Sequence, residues 1–107
     1  MCRAMKVLCV APSQERLAEV KRATVSLHWE LVGGARNADE LVQQLDEWQP
    51  DVVVVDLGLG REAVDRVRES RPGARIVTVG AGGDAETDEG VKAAIQGLPK
   101  PGGPVRG

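Results

Sequence analysis

Gln49-Pro-Asp-Val-Val-Val-Val-Asp-Leu57 is the stretch on which the fold turns. Pro50 stops any helix that precedes it, because it has no backbone N–H to continue the ladder. The four valines at 52–55 are the most hydrophobic run in the chain, and the run reads as a strand buried on both faces, the habit of a parallel sheet. Upstream, Asn37-Ala-Asp-Glu40 has the spacing of a capping box, and Leu41, Val42, Leu45 and Trp48 then recur on one helical face. Before that helix, Trp29-Glu-Leu-Val-Gly33 reads as a half-exposed strand. Lys6-Val-Leu-Cys-Val-Ala11 reads as another buried one. Between these two strands Ser13 caps a helix whose inner face carries Leu17, Val20 and Ala23 or Thr24.

Downstream the alternation continues. A third helix spans about 62–70 with Ala63, Val64 and Val67 facing in, and Pro72-Gly73 turns the chain. Ala74-Arg-Ile-Val-Thr-Val79 is the fourth strand. Gly80-Ala-Gly-Gly83 is a flexible joint, and Asp84 is placed to cap a weaker helix carrying Val91, Ala94 and Ile95. Gly97-Leu98-Pro99-Lys100 reads as a short fifth strand at an edge, where Pro99 costs no ladder bond. The domain therefore occupies 1–101, and 102–107 form a loose Pro/Gly tail suited to a linker. Strand and helix in strict alternation call for an α/β architecture with helices on both faces of a parallel sheet. Chemistry in such sheets gathers at the C-terminal strand ends. That rule selects Ala11-Pro12-Ser13, Asp56, Gly80-Ala81 and Lys100 as the candidate site.

Composition narrows the function classes. The chain has 107 residues, 42% hydrophobic and 28% charged, in keeping with one folded domain. No apolar run approaches a membrane span, and the first ten residues lack the apolar stretch of a secretory signal. A net charge of −2 argues against nucleic acid as a partner. Two cysteines, Cys2 and Cys9, make neither a disulfide framework nor a zinc site, so the setting expected is reducing and cytoplasmic. With two Trp and no Phe or Tyr, the core is built from Val, Leu, Ile and Ala.

From about Met5 to Pro101 the chain resembles the receiver domain of two-component response regulators. The resemblance is carried by Met5-Lys-Val-Leu-Cys-Val10, by Ala38-Asp-Glu-Leu-Val-Gln-Gln-Leu45, by the stretch from Gln49 to Leu57, and by Lys100-Pro101. It implies a flavodoxin-like three-layer sandwich with five parallel strands in the order 2-1-3-4-5. It also makes Asp56 the match to the phosphoacceptor and Lys100 the match to the lysine that contacts the phosphoryl group. In that family Mg²⁺ is held by two acids after strand one together with the acceptor aspartate. A hydroxyl ending strand four and an aromatic residue on strand five complete the switch.

The chain departs from this pattern. The acidic pair falls on Ala11 and Pro12, the hydroxyl on Gly80 and the aromatic on Gly97. Thr78 lies two residues back on the same strand face, about 7 Å down the strand. Leu57-Gly-Leu-Gly-Arg61 is shorter than the usual link to helix three, and nothing after Pro101 reads as a fifth helix, which is missing or replaced. A lone carboxylate is a poor site for a hard cation. Glu15, the nearest acid after strand one, sits in the first helical turn and points to solvent. No cofactor is therefore expected, with weak Mg²⁺ binding only if Asp56 is phosphorylated, and Lys100 is expected to form a salt bridge with Asp56.

Other features take plain structural readings. Gly80-Ala-Gly-Gly-Asp-Ala85 formally matches a dinucleotide motif, but it follows the fourth strand and has no acid about 20 residues on, so it reads as a hinge loop. His28 is a surface turn residue, Trp48 a core residue, Trp29 a residue of an exposed strand face, and Cys9 a small buried apolar residue. Three functions follow. The preferred one is a non-enzymatic pseudo-receiver, acting as a protein-interaction module with a degraded phosphorylation site. Its partner, another protein or a second copy, would cover the strand 4/strand 5 side left bare by the missing helix. The alternative is a response regulator phosphorylated on Asp56 by a histidine kinase. A nucleotide- or flavin-binding module has little support, since no phosphate-cradling loop follows strand one.

Overall fold

A computed structural model describes residues 5–27 and 29–96 of the chain. Strands β1 (Met5–Val10), β2 (Trp29–Leu31), β3 (Val52–Asp56) and β4 (Arg75–Val79) alternate with helices α1 (Gln14–Thr24), α2 (Ala38–Trp48), α3 (Arg61–Ser70) and α4 (Val91–Gln96). Single 3-10 turns at Leu57–Leu59 and Asp88–Gly90 precede α3 and α4. The described strands are all parallel, in the order β2-β1-β3-β4. Leu8 sits beside Val53 and Val10 beside Val55, while Asp56 pairs with Val79 across the next ladder.

The valine run behaves as its composition dictates. Val52 and Val54 point into one apolar layer with Val7, Cys9, Val20 and Val77, whereas Val53 and Val55 enter the other with Leu8, Val10, Leu41, Leu45 and Val67. A strand covered on both faces has no position for a polar residue until it ends, and β3 ends on Asp56. Ser13 and Asn37 cap α1 and α2, accepting from the N–H groups of Arg16 (3.2 Å) and Glu40 (2.9 Å). The box at α2 is modified: the Glu40 carboxylate reaches past Asn37 to the Arg36 N–H, at 2.8 Å, because the Arg36 guanidinium holds it there. Ala63, Val64 and Val67 are the buried residues of α3, as the spacing predicts.

Three sequence readings need correction. Trp29 is buried, with its indole N–H donating to the Thr24 carbonyl at 2.7 Å, so it seals the end of α1 instead of lying on an open strand face. Trp48 is 37% exposed: Leu41 and Leu45 fill the core, and the last turn of α2 carries the indole out over Gly33. Asp84 caps no helix. Its carboxylate turns back to the Thr78 N–H (3.1 Å) and hydroxyl (3.2 Å), and α4 starts only at Val91.

The placement of α4 also differs from expectation. Right-handed crossovers put α1 on one face and α2 and α3 on the other, and a helix continuing the series past β4 would join α2 and α3. α4 instead packs on the α1 face, where Val91 and Ile95 are buried with Val20, Val77 and Val79. The last described helix thus covers the flank expected to lie bare on that face. The expected fifth strand (97–100) and the 102–107 tail lie outside the described residues.

Candidate functional site

The C-terminal ends of β1, β3 and β4 converge around Asp56, which is 7% exposed. A carboxylate removed from water is costly unless it is paired and hydrogen-bonded. Here both oxygens are satisfied. Oδ1 accepts from the Gly58 N–H at 2.8 Å, capping the turn that leads into α3. Oδ2 accepts from Arg16 Nε at 2.5 Å.

Arg16 comes from the first turn of α1, three residues after the cap Ser13. Its two terminal nitrogens clasp the carboxylate of Asp88, in the 3-10 turn before α4, at 2.9 and 2.7 Å. Glu19 adds a longer contact at 3.4 Å. One planar guanidinium therefore joins the end of β3, the start of α1 and the approach to α4, the fork geometry that arginine supplies and lysine does not. These bonds, first to Asp88 and then to Asp56, hold the Arg16 guanidinium charged even more firmly than an ordinary arginine.

The other positions supply little chemistry. Ala11 is fully buried and offers no ligand; Pro12 is exposed. Gly80, where a hydroxyl was sought, has φ +135° and lies against the Leu57 side chain, so that a Cβ there would approach Leu57 Cβ to 3.2 Å. The Thr78 hydroxyl is committed to Asp84, accepting from its N–H at 2.9 Å. Glu15 is exposed, as expected. The loop 80–85 spends its amides on itself: Gly80 donates to the Ala85 carbonyl, Gly83 to Gly80, and Ala85 to Thr78. It is a closed turn with no phosphate cradle.

Among the described residues no three His, Cys, Asp or Glu side chains gather to hold a metal ion. The residues present do not fit the divalent cation that the resemblance implies. Two ligand positions carry no oxygen side chain, and the remaining carboxylate is already neutralised by Arg16. Lys100, the partner expected for Asp56, lies outside the described residues; in the described structure Arg16 takes that role. Sequence reasoning missed Arg16 and Asp88, although one signal was available. A basic residue in the first turn of a helix opposes the macrodipole by about 0.3–1 kcal/mol, and so asks for an anionic partner.

No family model matches the chain, and no curated protein does. Solved structures do. The response regulator domain of Thermotoga maritima CheB is 26% identical with a TM-score of 0.62, over 72% of this chain and 60% of that one. A response regulator from Thermotoga maritima is 26% identical with a TM-score of 0.59, over 74% and 68%. The signal receiver domain of an HD domain-containing protein from Pseudomonas fluorescens Pf-5 matches in fold, at 20% identity and a TM-score of 0.62, over 74% and 60%. The chain thus spans about three-fifths of the length of the first of these relatives. With its strand order, its layers and a buried aspartate ending β3, the chain has the receiver-like fold and is similar to the receiver domains of response regulators.

Proposed function

We propose that the chain is an atypical receiver domain of signal transduction, a pseudo-receiver that works by binding proteins and not by accepting phosphate. The observation that carries this reading is the Arg16 guanidinium seated on Asp56. Transfer of a phosphoryl group to a carboxylate brings anions together, and catalysis consists of positioning and charge compensation at the incoming group. At Asp56 the compensating charge is fixed to the protein, shared with Asp88, and aimed at the acceptor oxygen. Ala11, Pro12 and Gly80 leave the other parts of the machinery unsupplied.

A non-enzymatic interaction role in a cytoplasmic setting agrees with this chemistry. No described helix is long and apolar enough to cross a membrane. With α4 covering the α1 face, the contact surface proposed for a partner or a second copy narrows to the α3-facing side of β4, where Ile76 and Thr78 are only half-buried.

Incubation of the full chain with acetyl phosphate and Mg²⁺, followed by intact-mass measurement, tests the reading. The expected result is no phosphoryl increment on the wild type. A stoichiometric increment that disappears in Asp56→Asn would replace the proposal with the phosphoaccepting alternative.

A further inference from the structure

We propose that the Asp56–Arg16–Asp88 bridge is a latch that docks the last helical segment on the sheet, so that the charge on residue 56 sets how firmly residues 88–96 are held. The inference rests on the reading of Asp56 as internally paired and adds a consequence for a distant element.

α4 has six residues, far below the length at which a helix persists by itself, and the 3-10 turn before it has no side-chain cap. Its order therefore comes from what it touches. Val91 and Ile95 are buried in the α1-side layer. The Arg75 guanidinium closes the far end, donating to the Ile95 and Ala94 carbonyls at 2.6 Å each. Arg16 closes the near end through both oxygens of Asp88. Upstream, the 80–85 turn is tied back to the end of β4 by Asp84 and Ala85, so its bonds fix the turn and not the segment that follows it.

The two arginines differ in one respect. Arg75 binds backbone carbonyls, whose charge never changes. Arg16 divides one guanidinium between Asp88 and Asp56, and the Nε bond to Asp56 is what aims the terminal nitrogens at Asp88. Glu19, on Nη1 at 3.4 Å, is the other anion facing the group. When the charge at residue 56 is lost, the guanidinium loses its anchor and is free to swing toward Glu19 and solvent, and the grip on Asp88 weakens.

Amide hydrogen exchange of the full, unphosphorylated chain without Mg²⁺ reads this directly. Arg16→Gln is expected to speed exchange across 88–96 roughly tenfold, the worth of a half-exposed bidentate pair, while amides of α2 and α3 keep their wild-type rates. Asp56→Asn is expected to act in the same direction and to add nothing in an Asp88→Asn background, where the link is already cut. Asp88→Asn also serves if Arg16→Gln does not fold, since Asp88 is half-exposed. Unchanged rates at 88–96, equal acceleration in α2 and α3, or an additive effect of Asp56→Asn in the Asp88→Asn background would each overturn the latch. A phosphoryl increment on the wild type would refute the proposed function, whereas the exchange rates are read on the unphosphorylated chain, so the two failures are separable.

Discussion

Two side chains in the interior show how the fold handles ionisable groups. The Asp56 carboxylate is bonded by a guanidinium and an amide. Cys9 receives no such help: burial pushes its thiol up to about 11, against smaller opposing effects from Thr24 and Lys21. The sign of the consequence is fixed. Between about pH 9 and 11 the unfolded thiol ionises while the folded one holds its proton, so stability falls as pH rises through that window. The loss by pH 11 should approach about 2 kcal/mol, read as a falling urea midpoint, and Cys9→Ala should lack that slope. Cys9 and Asp56 were both legible in the sequence because local pattern locates them, one inside an apolar run and one at its end. Arg16 was not, because its partners lie 40 and 72 residues away.

Among the elements, starts were easier to read than ends. Ser13 and Asn37 cap as their spacing predicts, since a cap is a contact across three residues. The end of α2 is less regular. Gln49 adopts a left-handed conformation (φ 47°, ψ 59°) that a residue with a Cβ takes at a cost of about 1–2 kcal/mol. Gln49→Gly should therefore raise stability by about 0.5 kcal/mol after its greater unfolded-state entropy is subtracted. The check is a higher urea midpoint with an unchanged slope. The two tryptophans exchanged their expected places for a similar reason. Periodicity says which face a residue occupies, but not where the layer stops, and Trp48 falls past its edge while Trp29 is drawn under α1.

At the scale of the whole molecule, the parallel sheet followed from apolar runs separated by helix-length segments, and the described order β2-β1-β3-β4 agrees with it. The side on which α4 packs did not follow. The handedness of regular crossovers points to the other face, and the burial of Val91 and Ile95 together with the long-range clasps of Arg16 and Arg75 holds the helix where it is. The same clasp accounts for the central feature of the site, a cation supplied by the chain in place of a bound ion. Titration of the ¹⁵N-labelled protein with Mg²⁺ and beryllofluoride, followed at the backbone amides of Asp56, Leu57 and Gly58, tests that most directly. With Arg16 committed to Asp56, these resonances should move no more than in a salt-matched control. A saturable shift confined to them, abolished by Asp56→Asn, would show an open acceptor site and contradict the account.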